Sequence, residues 1–200
     1  MKKITLDDVK NNKEFSALIE RANINLENIG YTEHGIRHVG YVSKTTANIL
    51  RETGCDERTV ELGAIAGWIH DIGNAVNRLN HGLTGAVMSM SLLENMGMDM
   101  NEISVIMAAI GNHEEQSGFI SSAVSAALAL GDKSDAHKTR VRNGKPDPHD
   151  IHDRVNFSIQ ENQVTVDRKS RVIRHELVMD DTSSVLEYLQ IYLPRIVMCE

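Results

Sequence analysis

Cysteine is almost missing from this chain: of 200 residues only Cys55 and Cys199 carry a thiol, and they are far apart, without CxxC spacing. That excludes both a disulfide framework and a thiolate metal site. No apolar run is long enough to cross a bilayer, and the start, Met1-Lys2-Lys3-Ile4-Thr5-Leu6-Asp7-Asp8, lacks the apolar core of a secretory signal. A cytoplasmic protein with no membrane partner is the expectation. Positive charge is scarce as well, with 21 Lys and Arg against 28 Asp and Glu and a formal charge of −7. Such a field repels a nucleic-acid duplex, which is therefore not an expected partner. Of the three prolines, two sit in Asn143-Gly144-Lys145-Pro146-Asp147-Pro148-His149-Asp150, a turn-rich stretch that divides the chain. What remains is ordinary for a globular protein, 41% hydrophobic and 24% charged, with length for one core-forming domain and an appendage. The nine histidines stand out against that background.

The chain is organised around Gly63-Ala64-Ile65-Ala66-Gly67-Trp68-Ile69-His70-Asp71-Ile72-Gly73, where an apolar, small-residue helix runs into a His-Asp pair. An imidazole and a carboxylate buried side by side each need a strong partner, and one divalent metal serves both. Asp56 is read as the cap of this helix, and Gly63, Ala64, Ala66 and Gly67 permit close approach of a neighbour. Upstream, Thr5 with Asp7 and Asp8 marks a helix start, with Phe15, Leu18 and Ile19 at helical spacing until Gly30 closes the segment. A second helix is read from about His34 to Thr53, with Val39, Val42, Thr46, Ile49 and Leu50 on one face, His38 on that same face, and Gly54 at its end.

Downstream, a polar connector over 74–80 leads to Asn80 as a cap and His81 at the mouth of a Met- and Leu-bearing helix ending near Gly97. Met88, Met90, Met96 and Met98 are read as core filling. Asn101 is read as the cap of a helix that hands off to Gly111-Asn112-His113. Ser121 or Ser122 starts an alanine-rich helix with Asp132 and Lys133 near its end. Successive apolar helices thus present His38, His70-Asp71, His81, His113 and Asp132 in that order. Imidazole nitrogens and carboxylate oxygens together suit a divalent Fe, Mn, Co, Ni or Zn, and one carboxylate can bridge two ions. Six ligands suffice for two open coordination spheres, which can share a hydroxide and clamp the oxygens of a phosphate ester. Four of them, His38, His70, Asp71 and Asp132, would hold a single ion.

This order resembles the HD-domain metal-dependent phosphohydrolase superfamily, an all-helical fold named for its His-Asp doublet. The likeness covers roughly 31–142. Its flanks agree too: the amphipathic helix ending in Gly54, Ala66-Gly67-Trp68-Ile69 before the doublet, Ile72-Gly73 after it, His81-Gly82 with Gly85, and Leu130-Gly131-Asp132-Lys133. Counting back from Gly54 and His70, the family's helix length selects His38 over His34 as the opening ligand, leaving His34 beside the metals or facing substrate. The resemblance implies that His38, His70, Asp71 and Asp132 hold one ion, that Asp71 bridges, and that His81 and His113 complete a second site. It implies hydrolysis of a phosphate ester or anhydride, in a small nucleotide-like compound, by a metal-activated hydroxide. Asp71 would orient the attack and Lys133 would steady developing charge, with Arg37 and Arg78 as further phosphate partners. No subfamily follows: the Gly-Tyr-Pro tripeptide of cyclic-di-GMP phosphodiesterases is missing, Asn74 stands where a lysine commonly follows, and no acidic pair follows the doublet. Two other classes share the pattern, a dinuclear-iron oxygenase of the myo-inositol oxygenase type and a non-catalytic nucleotide sensor.

After Arg142 the character changes. A loop is expected over 143–153, then strands from alternating Val155, Phe157 and Ile159, a turn at Glu161-Asn162, and further strands through Val164, Val166, Val172 and Leu177. A last helix is read near Ser183 to Met198. The expected whole is mainly α, a helical HD bundle over 1–142 with a small antiparallel sheet and closing helix over 154–200. So small a sheet cannot bury itself, so this tail should pack on the bundle or on a second copy in a homodimer. His149, His152 and His175 are read as surface residues, with 149–153 able to line the mouth of the site.

Overall fold

A computed structural model describes residues 3–200. Thr5 and Asp8 form a capping box in front of α1 (Leu6–Lys10), and Asn12 caps α2 (Lys13–Asn28) by accepting from the N–H groups of Glu14 and Phe15. The single helix expected between Thr5 and Gly30 is therefore two, because the Asn12 side chain competes for the backbone and restarts the helix. The next helix, α3 (Ile36–Thr53), stops at Gly54, whose φ of +91° lies in the left-handed region that favours glycine. Asp56 caps α4 (Glu57–Ile69) as expected.

Close approach of α3 and α4 rests on Gly67. A Cβ placed there would lie 2.7 Å from the Cα and 2.8 Å from the backbone N of Ser43 on α3, and backbone cannot swing aside. Gly67→Ala should therefore cost about 1–3 kcal/mol, or a fall of roughly 2–12 °C in Tm for a chain of this size. Thermal denaturation followed by circular dichroism checks this, and an unchanged Tm would mean that the helices can separate freely.

A single turn of 3-10 helix (Ile72–Ala75) follows the His-Asp pair and leads to α5 (His81–Asn95). Asn80 stands before α5 with φ +57° and makes no side-chain cap bond, so its expected role as a cap is corrected to that of a left-handed hinge. The next helix, α6 (Met100–Gly111), is capped by Asp99, not by Asn101, whose backbone N–H and side-chain amide both donate to Asp99. Ser122 caps α7 (Ala123–Lys133). Ile65 and Ile69 of α4, Leu93 of α5, Ile103, Ile106 and Ile110 of α6 and Leu128 of α7 are all fully buried in one core. Met98 is buried there, and Met88, Met90 and Met96 pack against it, as their filling role requires.

The tail departs from expectation at its start. Residues 151–158 form α8 (Ile151–Ser158), where a loop end and a first strand were expected. Asp150 accepts from the His152 N–H as a cap, and Ile151, Val155 and Ile159 recur one turn apart, so the short alternation through Phe157 carried no strand. The sheet is a two-stranded antiparallel hairpin, β1 (Ile159–Asp167) and β2 (Val172–Met179). Glu161 and Asn162, expected as a turn, lie within β1 opposite Val178 and Leu177. The closing helix α9 (Val185–Cys199) begins at a capping box of Ser184 and Glu187 and carries Pro194 inside it. It packs on α7 and α8, while β1 packs on α3, so the tail is docked on the bundle along one side, with Val172, Val178, Leu186 and Val197 left exposed. Ala136, Val155, Ile159 and Tyr192 form a second small core there. The architecture is mainly α with a small antiparallel sheet and a closing helix. Among the described residues no helix is long and apolar enough to cross a membrane.

Candidate metal centre

Five helices deliver six donors to one place. His38 lies in the first turn of α3 and Asp132 in the last turn of α7. His70 and Asp71 follow the end of α4, His81 opens α5, and His113 follows α6. Three overlapping groups have donor atoms within 4.8 Å of one another: His38, His70 and Asp71; His70, His113 and Asp132; and Asp71, His81 and His113. Asp71 belongs to two of them. Its Oδ1 lies 3.1 Å from His81 Nε2, 3.7 Å from His70 Nε2 and 3.9 Å from His113 Nε2, whereas its Oδ2 faces His38 Nε2 at 3.7 Å. Each Asp71 oxygen thus faces at least one imidazole nitrogen, as a metal-ligating carboxylate must.

Ring orientation shows what these nitrogens can accept. His70 Nδ1 lies 2.9 Å from the Gly67 carbonyl and His113 Nδ1 lies 2.6 Å from the Ile110 carbonyl, so each must donate there. His38 Nδ1 donates to Asp135 Oδ2 at 2.6 Å, and His81 Nδ1 faces the Arg78 carbonyl at 3.1 Å and Glu114 Oε1 at 3.2 Å. With the Nδ1–H of His38, His70 and His113 engaged outward, their Nε2 lone pairs point inward, while Arg78 approaches the His81 ring at 3.0 Å from Nδ1 and 3.2 Å from Nε2. Two pairs of Nε2 atoms face each other, His38 with His70 at 3.3 Å and His81 with His113 at 3.1 Å, beside the Asp71 and Asp132 carboxylates. Lone pairs gathered around anionic oxygens repel unless a cation stands among them, and outward Nδ1–H bonds are the usual support of metal-bound histidine. The residues present fit a divalent metal.

The titration behaviour has the same cause. Burial opposes ionisation of Asp71 and Asp132, yet His70 and His81 around Asp71, and Lys133 with His38 around Asp132, hold both carboxyls well below the usual range. Burial also works against charge on His81, but Asp71 and Glu114 outweigh it and raise the imidazole to about 9. His113, buried and beside His70 and His81, falls to about 3.

The other expected site residues divide. His34 is adjacent to His38, with ring centroids 5.2 Å apart, and its Nε2 accepts from Arg140 at 2.9 Å. Burial, with Arg140 in support, pushes its pKa well below the usual imidazole range. Arg78 sits against the His81 ring, 3.0 Å from Nδ1, and lines the cavity over the donors. Lys133 Nζ lies 2.7 Å from Asp132 Oδ2 and 2.9 Å from Glu115 Oε2, which places it beside the donor set. Arg37 instead forks onto Asp135 and also pairs with Glu33 at 2.9 Å.

Three residues of the site were missed from the sequence. Asp135, fully buried, joins His38, Arg37 and Arg140; its spacing of three from Asp132 was a signal that could have pointed to it. Glu114 accepts from the Gly82 N–H at 2.8 Å and from His81, and its place next to His113 was the available hint. Arg195 of α9 lines the cavity over Asp71, and nothing in the sequence marks it.

No family model matches the chain. It is similar to an uncharacterized protein of Methanocaldococcus jannaschii, 24% identical over 163 residues. That match covers 70% of this chain and 62% of the relative, so the chain spans less than two thirds of that protein's length. The structure is similar to the crystal structure of a predicted HD superfamily hydrolase from an uncultured Thermotogales bacterium, with a TM-score of 0.49 and 23% identity, over 62% of this chain and 68% of that one.

Proposed function

We propose that this chain is a metal-dependent phosphohydrolase of the HD kind, holding two divalent ions and cleaving a phosphate ester or anhydride in a small, nucleotide-like substrate. The observation that carries the reading is the convergence of four imidazole Nε2 atoms on Asp71 and Asp132, with the Nδ1–H of His38, His70 and His113 engaged outward. His38, His70, Asp71 and Asp132 would hold one ion; His81 and His113, with Asp71 between, would hold the other. Bound ions supply Lewis acidity and bring the pKa of water to about 7. Asp71 is itself fixed by Asn74, whose side-chain amide donates to Oδ1 at 3.0 Å. Lys133, buried between Asp132 and Glu115, lines the cavity. A cleft of about 620 Å³ beyond the donors, lined by Tyr31, Thr32, Gln116 and Ile191 among others, has the volume of a nucleotide-sized ligand site.

The test is release of phosphate or nucleoside from Mn- and Fe-loaded protein across nucleoside mono- and triphosphates, cyclic dinucleotides and bis-nucleoside polyphosphates. Turnover of one class is expected. Oxygen uptake by the iron-loaded protein in its place, or silence from protein shown to hold two ions, would overturn the hydrolase reading.

Ion uptake should also be linked to pH. An incoming ion must displace the proton that His81 holds up to about pH 9 in the ion-free protein. Affinity should therefore fall as pH drops below that value, and loading near neutral pH should release protons. Titration calorimetry in buffers of different ionisation enthalpy measures the release; none at all would contradict the assignment of His81 as a ligand.

A further inference from the structure

The cavity over the metal donors reaches the outside through a neck. His34, Arg78, Glu115 and Arg195 line both the polar cavity over Asp71 and the larger cleft beyond it. Most cations in this region are already matched by carboxylates: Arg37 by Glu33 and Asp135, Arg140 by Asp135, and Lys133 by Asp132 and Glu115. Arg78 differs. Among the described residues it makes no ion pair, and its guanidinium lies over the Tyr31 ring at 5.2 Å and against His81. Arg195 differs too, since the carboxylate it faces, Glu115 at 3.6 Å, is already held by Lys133 at 2.9 Å.

Arg195 is also firmly placed. Its guanidinium lies 4.6 Å over the ring of Tyr192, which is buried, stacks on Tyr188 at 4.6 Å and donates to Asn156 at 3.3 Å. Ile191, Pro194 and Arg195 line the cleft together, at the spacing of one helix face, so α9 turns that face to the cleft. We infer that Arg195, together with Arg78 in the neck, binds the phosphate of the substrate, so that the C-terminal helix supplies part of the substrate site. Guanidinium forks match phosphate oxygens in bidentate geometry, and a protein of net negative charge must gather an anion locally. The role in catalysis rests on the hydrolase reading; the anion binding does not.

The experiment uses the full chain loaded with Mn(II), with inorganic phosphate as the binding probe and p-nitrophenyl phosphate as a generic ester. Arg195→Ala and Arg78→Ala should each weaken phosphate binding by about tenfold or more, and raise KM for the ester more than they lower kcat. Metal content and Tm are measured on each variant, and Arg195→Lys should recover part of the lost affinity because it restores the charge without the fork. Arg195→Ala with unchanged phosphate affinity and intact metal content would overturn the inference while leaving the hydrolase reading standing. A loss of affinity that Arg195→Lys does not relieve at all, with a fall in Tm, would assign Arg195 a structural role and overturn it as well. Phosphate binding that depends on Arg195 in protein that retains no metal would support the inference and remove the hydrolase reading. A wild-type protein that holds metal but no phosphate would overturn the inference directly.

Discussion

Asp71→Ala should abolish retention of both ions and lower turnover by at least about a thousandfold, while the helical fold survives. Asp71 belongs to two of the three donor groups, so under the two-ion proposal its loss would remove a ligand from each ion at once. A fixed ion contributes several kcal/mol of charge stabilisation in the transition state, and each ~1.4 kcal/mol is a factor of ten in rate. Loss of one peripheral histidine should be milder. His113→Ala, for instance, leaves the His38, His70 and Asp71 group whole and should lower the ion count from two to one. Metal content by mass spectrometry and turnover on the best substrate check both variants together. Full activity in Asp71→Ala would sink the assignment of the site.

The largest effect on stability should come from a residue outside the donor set. Asp135→Ala removes the fully buried carboxylate that Arg37, Arg140 and His38 share. Burial disfavours its ionisation, but Arg140, His38 and Arg37 together hold its carboxyl below the usual range, so the anion is the native form. Removing one partner of a buried cluster leaves uncompensated charge and costs about 3–5 kcal/mol. For a chain of this size that is a fall of roughly 6–20 °C in Tm. The same variant frees His38 Nδ1 from its acceptor and should weaken ion binding by about 10–100-fold. Thermal melts with and without metal separate the two effects. A Tm within ~2 °C of wild type would show that the Asp135 cluster holds nothing together.

Helices were legible wherever periodicity and caps agreed. Asp56 and Gly54 marked their helix ends correctly because a carboxylate cap and a left-handed glycine act locally, within a turn. Where one signal stood alone it misled: Val155, Phe157 and Ile159 alternate over too few residues to distinguish a strand from a helix, and Asp150 decided for the helix. At the site, His38, His70, Asp71, His81, His113 and Asp132 could be picked out because each follows or lies on an apolar helix, where a polar group needs a reason. Asp135 and Arg195 escaped because their importance arises from partners far along the chain. Asp135 meets His38 across 97 residues, and Arg195 reaches Glu115 only once α9 has docked. For Asp135 the spacing of three from Asp132 offered only a hint, and for Arg195 no local pattern encodes a contact of that range.

The spread of the donors over five helices also bears on kinetics. His38 and His70 are 32 residues apart, as are His81 and His113, and Asp132 arrives later still, so no short segment of the unfolded chain can offer the full set. An ion held there would gain its affinity only once α3, α4 and α7 have closed on one another. A ligand that binds only then slows escape from the native basin and leaves the rate of reaching it nearly unchanged. For this protein, metal supply should set how long a folded molecule lasts more than how quickly one forms.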